Sequence, residues 1–182
     1  MDVLRHAQVR AHGQTAVKVD RRAAGRVLSQ ADIVRLVATA REAGRQVVFT
    51  NGVFDLLHPG HVRYLQEARA LGDLLIVGLN ADASVRRNKG PQRPINSEGE
   101  RAEILAALAS VDAVVVFDED TPAEIIRLVQ PDVLVKGEDW AADQIVGRDT
   151  VEARGGRVVR VPMEQGYSTT AIVERIRSTP CL

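Results

Sequence analysis

Two histidines bracket a Pro-Gly turn in the segment Thr50-Asn51-Gly52-Val53-Phe54-Asp55-Leu56-Leu57-His58-Pro59-Gly60-His61. An apolar run precedes this segment, and an amphipathic stretch follows it. Two imidazoles three residues apart at the start of a helix can donate to one anion, and the amides of that helix end also favour phosphate. Gly52 allows a ligand to approach the backbone closely. The segment therefore predicts a phosphate-binding turn.

The histidine pair has two other interpretations, half of a metal site or simple helix caps. The other histidines of the chain are His6 and His12, close to the N-terminus, and the single cysteine is Cys181. We therefore expect no metal held by protein side chains and no internal disulfide.

Apolar runs alternate with helical patterns from Ser29 onward. Strands are predicted at residues 47–49, 74–77, 113–117, 133–135 and 158–161. Helices are predicted at 29–44, 61–71 and 97–108, from an N-cap at Thr121 to just before Pro131, and from Ser168 with Ile172, Val173 and Ile176 facing inward. This alternation predicts an α/β fold, a Rossmann-like, open and mostly parallel five-stranded sheet with helices on both faces. Residues 1–28 show no periodicity and are interpreted as an N-terminal extension, so that the domain spans 29–182.

Ligands of such sheets bind at the carboxyl ends of the strands. Neither G-x-G nor G-K-[ST] occurs in the chain, which removes the dinucleotide fingerprint and the P-loop. Lys89, in a predicted loop, and Lys136, directly after a predicted strand, are each followed by glycine, and Ser168 opens the last helix. These residues are candidate phosphate ligands; the alternatives are a solvated loop lysine, a lysine at the sheet edge and an ordinary cap.

Composition narrows the possible partners. The chain of 182 residues carries 24 Lys and Arg against 24 Asp and Glu, a net charge of +0, and only 3% aromatic residues. This balance disfavours nucleic-acid binding. No apolar run is long enough to cross a bilayer and no leader pattern occurs, so we expect a cytoplasmic protein that does not bind membranes.

The ten residues from Gly52 to His61 resemble the signature of the cytidylyltransferase-like nucleotidyltransferases. Further segments resemble one branch of that family, the adenylyltransferase that makes ADP-heptose from D-glycero-β-D-manno-heptose 1-phosphate. They are residues 77–85, Lys89-Gly90, Arg93-Pro94, Glu100-Arg101, Val111-Asp112, 117–122, 134–140, Val146-Gly147 and 168–170. The likeness runs from Gln46 to Arg177. Since no sugar-kinase domain precedes it in this chain, we expect the stand-alone form of the enzyme.

The resemblance implies transfer of AMP from ATP, with Mg²⁺, to a sugar 1-phosphate, giving ADP-heptose for lipopolysaccharide core or another heptose-containing glycan. It also implies small-molecule substrates and a homo-oligomer. The implied catalytic residues are His58, His61 and Lys89. The implied nucleotide-binding residues are Thr50, Asn51, Gly52, Val53, Phe54, Asn80, Asp82, Lys136, Gly137, Ser168, Thr169 and Thr170. Asp55, Arg101, Asp139 and Trp140 are the candidate sugar-phosphate contacts, although Asp55 also suits a structural role in the turn.

Three alternatives stay open. A glycerol-phosphate or other alcohol-phosphate cytidylyltransferase would use CTP, although the Arg-Thr pair of related cytidylyltransferases is replaced here by residues 163–167, Met-Glu-Gln-Gly-Tyr. A tRNA synthetase fragment is disfavoured by the neutral charge and by the absence of a lysine-rich K-M-S-K-S-like loop. A non-catalytic nucleotide-binding module is disfavoured by the intact histidines and Lys-Gly pairs.

Overall fold

The computed structural model describes residues 26–138, 140–162, 164 and 166–179. The strands are β1 (Arg26–Leu28), β2 (Val47–Gly52), β3 (Leu74–Asn80), β4 (Ala113–Phe117), β5 (Val133–Gly137) and β6 (Arg157–Val161). The helices are α1 (Gln30–Glu42), α2 (Pro59–Arg69), α3 (Asp82–Lys89), α4 (Glu98–Ala106), α5 (Ala123–Val129), α6 (Arg148–Glu152) and α7 (Thr169–Ser178), with a 3-10 turn at Ala142–Gln144. In these ranges, no helix combines the length and apolar character needed to span a bilayer.

The strands form one parallel sheet in the order β1-β4-β3-β2-β5-β6. The predicted Rossmann-like α/β fold is confirmed, but the sheet has six strands rather than five. The additional strand, β1, pairs Arg26 with Ala113 at the edge of the sheet. Its three residues are too few to show a periodicity, and they belong to the segment that was interpreted as an extension.

Helices cover both faces of the sheet, and the side chains of each strand alternate between two cores. Phe49 and Ile76 pack with residues of α1, α5 and α6. Val48 and Leu75, their neighbours in sequence, pack with residues of α2 and α4 on the other face. A strand buried on both faces reads as a continuous apolar run, which explains why these strands were predictable.

Most helix starts follow from local capping chemistry. Ser29 accepts from the Asp32 amide at the start of α1, and Ser97 forms a capping box with Glu100 at the start of α4. The N-cap of α5 is Pro122, one residue later than predicted, and it makes no side-chain cap bond.

Two helices differ from the sequence-based expectation. Helix α3 was not predicted, and it places Lys89 at its C-terminal end instead of in a loop. The last helix starts where predicted, but no residue of α7 is fully buried, and Ile176 is 65% exposed. Its apolar periodicity is real, but only part of that side meets the rest of the domain.

Strand order locates the expected ligand site. After β2 the chain continues to β3 on one side, whereas β5 occupies the other side of β2. The loops that follow β2 and β5 therefore diverge and leave a crevice at the carboxyl edge of the sheet. The histidine segment follows β2, and Lys136 lies near the end of β5.

Candidate active site

The His58-to-His61 turn forms the start of helix α2. His58 has an extended backbone, and its Nδ1 accepts from the amide of His61 at 3.4 Å, so it is the N-cap of the helix. Its ring stacks on that of His61, with centroids 3.8 Å apart and planes 16° from parallel. Capping and ligand binding are compatible here, because a neutral ring that accepts at Nδ1 carries its proton on Nε2.

Two glycines make this packing possible. A Cβ on Gly60 would lie 3.2 Å from His58 Nδ1 and 3.3 Å from the Cβ of Tyr167. A Cβ on Gly52 would lie 3.0 Å from the ring of Phe54, which also meets the His61 ring edge-on at a centroid distance of 5.3 Å. The small size of Gly52 thus accommodates Phe54, a reason other than the close ligand approach inferred from sequence.

Burial lowers the pKa of both histidines below their usual range. The pKa of His61 falls from 6.5 to about 4, first because of burial and then because of the nearby His58 and Lys89, while a hydrogen bond to the Leu56 backbone opposes the shift. The pKa of His58 is also lowered, mainly by burial. Nδ1 of His61 is buried without a hydrogen-bond partner among the described residues. Both rings are therefore neutral at pH 7 in the free protein.

A cleft of about 680 Å³ opens at this edge of the sheet. Its lining includes most of the predicted site residues: Asn51, Gly52, Val53, Phe54, His58, His61, Asn80, Lys89, Lys136, Gly137, Trp140, Ser168, Thr169 and Thr170. A volume of this size is typical of small-molecule sites.

Lys136 spans the crevice between β5 and β2. Its Nζ donates to Oδ1 of Asn51 and lies 5.9 Å from the centroid of the Trp140 ring. Lys136 is the fourth residue of β5 rather than the residue after the strand, and it is 8% exposed. The ammonium is thus held in place by neighbours on both sides, while Trp140 is half exposed.

Lys89 and the start of α7 approach the histidines from other elements. Lys89 is exposed at the end of α3. Ser168 caps α7 by accepting from the Ala171 amide at 3.0 Å, and Thr169 donates to the Leu56 carbonyl at 3.3 Å. The latter bond ties the positive end of the α7 dipole to the histidine segment.

Several predicted site residues lie behind the cleft instead of lining it. Thr50 is fully buried and shares a 2.7 Å hydrogen bond with Tyr64. Asp82 accepts from Arg101 at 2.6 Å, and the Arg101 side chain is fully buried. The structure thus gives Thr50, Asp82 and Arg101 supporting positions. Asp139 lies outside the described residues.

Other lining residues were not singled out from the sequence. They are Tyr64, Asn88, Asp120, Pro122, Ile145, Val146 and Tyr167. Signals existed for some of them, because Tyr167 directly precedes the Ser168 cap and Pro122 follows the fourth strand. Tyr167 lies 6.1 Å from the His58 ring by centroid, and Arg63 lies 5.8 Å from the Tyr167 centroid.

The parallel sheet and the phosphate-binding features at its switch point define a Rossmann-like nucleotide-binding domain. The sequence model of the Cytidylyltransferase-like family matches residues 49–175. The chain belongs to that family, which confirms the resemblance carried by the histidine segment.

Relatives place the chain more narrowly. It is 62% identical over 136 residues to the bifunctional protein HldE of Syntrophotalea carbinolica, covering 75% of this chain and 28% of that protein. It is 50% identical over 178 residues to the bifunctional protein HldE of Mesorhizobium japonicum, covering 98% of this chain and 35% of that protein. The chain therefore spans about a third of the length of these relatives.

A solved structure shares the fold. The lipopolysaccharide core biosynthesis protein from Thermoplasma volcanium GSS1 superposes with a TM-score of 0.56 at 33% identity, over 69% of this chain and 100% of that one.

Proposed function

We propose that this protein is a heptose 1-phosphate adenylyltransferase, which transfers AMP from ATP to D-glycero-D-manno-heptose 1-phosphate and releases pyrophosphate. The observation that carries the proposal is the convergence of His58, His61, Lys89, Lys136 and the start of α7 on one cleft. These groups are the donors that a triphosphate requires. The choice of heptose is supported by the motifs of the ADP-heptose branch and by the likeness to the HldE proteins.

The reaction needs positioning more than proton transfer. An oxygen of the acceptor phosphate forms a bond to the α-phosphorus of ATP, the bond from that phosphorus to the α,β-bridging oxygen breaks, and its electron pair leaves on pyrophosphate. The acceptor phosphate is already ionised at neutral pH, so no general base is needed. Catalysis is then orientation of the two phosphates and stabilisation of the charge that builds up between them.

The histidines supply donors whose charge responds to the ligand. In the free protein both rings are neutral, and Nε2 of His58 carries a proton to donate. A triphosphate placed beside the rings favours their protonated form, so binding is coupled to proton uptake. Lys89 and the amides at the start of α7 add positive potential at the same place.

Mg²⁺ enters with the triphosphate in this proposal. Of the described residues that line the cleft, Asp120 is the one acid, and its Oδ1 accepts from Nε of Arg87 at 2.7 Å. This donor set suits a cation coordinated mainly by phosphate oxygens and water, as Mg²⁺ usually is beside nucleotides. Bound there, the ion would neutralise charge on the leaving pyrophosphate.

The apolar part of the lining is the proposed site of the base. It consists of Pro122, Ile145, Val146 and the half-exposed Trp140. A flat purine or pyrimidine ring can be buried against such a surface, so the selection of ATP over CTP rests on the likeness to the adenylyltransferase branch.

The same resemblance supports a cytoplasmic homo-oligomer that acts on small molecules and binds neither nucleic acid nor membranes. The balanced charge of the chain agrees with this proposal. Light scattering coupled to size exclusion measures the oligomeric state directly.

Pyrophosphate release tests the function. The protein is assayed with Mg²⁺ and each anomer of D-glycero-D-manno-heptose 1-phosphate, with ATP and CTP in parallel reactions. We expect release with ATP and one anomer. Release only with CTP, or only with glycerol or ethanolamine phosphate, would overturn the substrate, and no release with any acceptor would overturn the enzyme.

A further inference from the structure

A second cavity, of about 310 Å³, adjoins the main cleft beside His61. The two share Val53, Phe54, His61, Lys89, Thr169 and Thr170 in their linings. The smaller cavity adds Asp55 and Arg93, which the main cleft does not contain. His61 and Lys89 thus stand at the junction of two compartments.

Asp55 holds Arg93 at the wall of this cavity. Oδ2 of Asp55 accepts from Nη1 of Arg93 at 2.6 Å, and Oδ1 accepts from the amides of Ile95 at 2.7 Å and Asn96 at 3.1 Å. The Asp55 side chain is 4% exposed, whereas that of Arg93 is 20% exposed. The carboxylate is therefore fully engaged, and its charge is balanced by the guanidinium that it orients.

The remaining donors of Arg93 are free to bind a ligand. No partner for its Nε or Nη2 occurs within the part of the chain that the structure describes. A guanidinium held at one nitrogen presents its other N–H groups in a fixed plane, the arrangement that matches two oxygens of a phosphate. Lys89 and the first residues of the ten-residue helix α7 line the same cavity and add positive potential.

The geometry of phosphoryl transfer assigns the ligand. The attacking and leaving oxygens lie on opposite sides of the α-phosphorus, roughly in line. A nucleotide in the main cleft with its α-phosphate beside His61 and Lys89 leaves the smaller cavity for the attacking group. We infer that Arg93 binds the phosphate of the acceptor substrate, a phosphomonoester, and holds it in line for attack. This inference rests on the proposed function for the attack itself.

Substitution of Arg93 tests the assignment. We expect Arg93→Gln to raise the KM for heptose 1-phosphate by about tenfold or more, while the Kd for ATP, measured by calorimetry without acceptor, changes less than about twofold. Arg93→Lys, which keeps the charge and loses the planar fork, should recover part of the loss. Arg86→Gln, which removes an exposed arginine of the same helix as Lys89, is the matched control and should leave both constants unchanged.

A second measurement does not depend on turnover. Inorganic phosphate is titrated into protein saturated with Mg²⁺ and α,β-methylene-ATP, so that the triphosphate site is already filled. Wild type should bind phosphate, and both Arg93 variants should bind it more weakly, by about tenfold for Arg93→Gln. If Arg93→Gln does not fold, Arg93→Lys carries the comparison in both experiments.

The outcomes separate the inference from the proposed function. If another phosphomonoester is the substrate, the heptose assignment fails, and the KM for that acceptor decides the role of Arg93. If no acceptor is turned over, the proposed enzyme fails, and the phosphate titration decides. An Arg93→Gln variant that binds phosphate as wild type does, or that weakens ATP as much as the acceptor, overturns the inference.

Discussion

The imidazole rings of His58 and His61 are stacked, with their centroids 3.8 Å apart. Two protonated rings at this distance repel each other, and burial disfavours charge on either ring. The pKa of His61 accordingly falls to about 4. The free protein therefore holds two neutral donors at the mouth of helix α2, and a bound anion is what would make protonation favourable.

The first prediction concerns stability and pH. His61 titrates near 6.5 in the unfolded chain and near 4 in the folded protein, so between these values the unfolded state binds more protons. The free energy of unfolding should therefore fall as the pH falls from about 6.5 to about 4, and this contribution should be constant above pH 6.5. Urea unfolding at a series of pH values measures the slope.

His61→Asn is the comparison, because asparagine is polar and does not titrate. Its slope between the two pH values should be shallower than that of wild type. Equal slopes would mean that His61 titrates normally in the folded protein.

The second prediction is that His61→Ala separates turnover from folding. Loss of a donor beside the reacting phosphates should lower kcat by about 100-fold or more. The Tm should change little, because the buried Nδ1 of His61 has no hydrogen-bond partner among the described residues to lose. Pyrophosphate release and thermal unfolding are measured on the same sample. A variant that lost activity only in proportion to its unfolded fraction would contradict the catalytic role.

Local chemistry made the central part of the site predictable. The spacing of His58 and His61, the glycines between and before them, and the cap at Ser168 are all properties of short segments. Each acts through the backbone of its own segment, as the Nδ1 of His58 does when it accepts from the His61 amide. The periodicity of the buried strands similarly predicted the carboxyl edge at which these segments meet.

Tertiary packing decided the rest of the site. Thr50 and Asn51 are adjacent and polar, but successive side chains of a strand point to opposite faces, so that Thr50 meets Tyr64 while Asn51 meets Lys136. Nothing in the sequence near Arg101 indicates that its side chain is enclosed. The edge strand β1 is likewise defined by its pairing with β4 rather than by its three residues.

The third prediction concerns Lys89 at the end of α3. Lys89→Ala should raise the KM for ATP or lower kcat by about tenfold, because an exposed ammonium beside the histidines is lost at the junction of both cavities. Its exposure means that the Tm should stay close to that of wild type. Steady-state kinetics with varied ATP measure the effect, and Arg86→Gln on the same helix is the control. Kinetics equal to wild type would remove Lys89 from the site.

The last prediction assigns Arg101 a structural rather than a substrate-binding role. Its guanidinium donates to the carbonyl of Asn96 at 3.0 Å, to that of Val53 at 2.6 Å, and to Oδ1 of Asp82 at 2.6 Å. The side chain is fully buried, so Arg101→Leu would leave a carboxylate and two carbonyls without their donor. The free energy of unfolding should fall by about 3–5 kcal/mol.

Two variants calibrate this expectation. Arg127→Leu removes a surface ion pair with Glu124 and should cost less than about 1 kcal/mol. Arg101→Lys keeps the charge but cannot reach three acceptors, so its stability should fall between that of wild type and that of Arg101→Leu. Any Arg101→Lys protein that stays folded at low temperature should bind the acceptor with a KM near the wild-type value, since Arg101 reaches the ligand only through the Val53 carbonyl that it holds. A large increase in KM at unchanged stability would instead place Arg101 against the substrate.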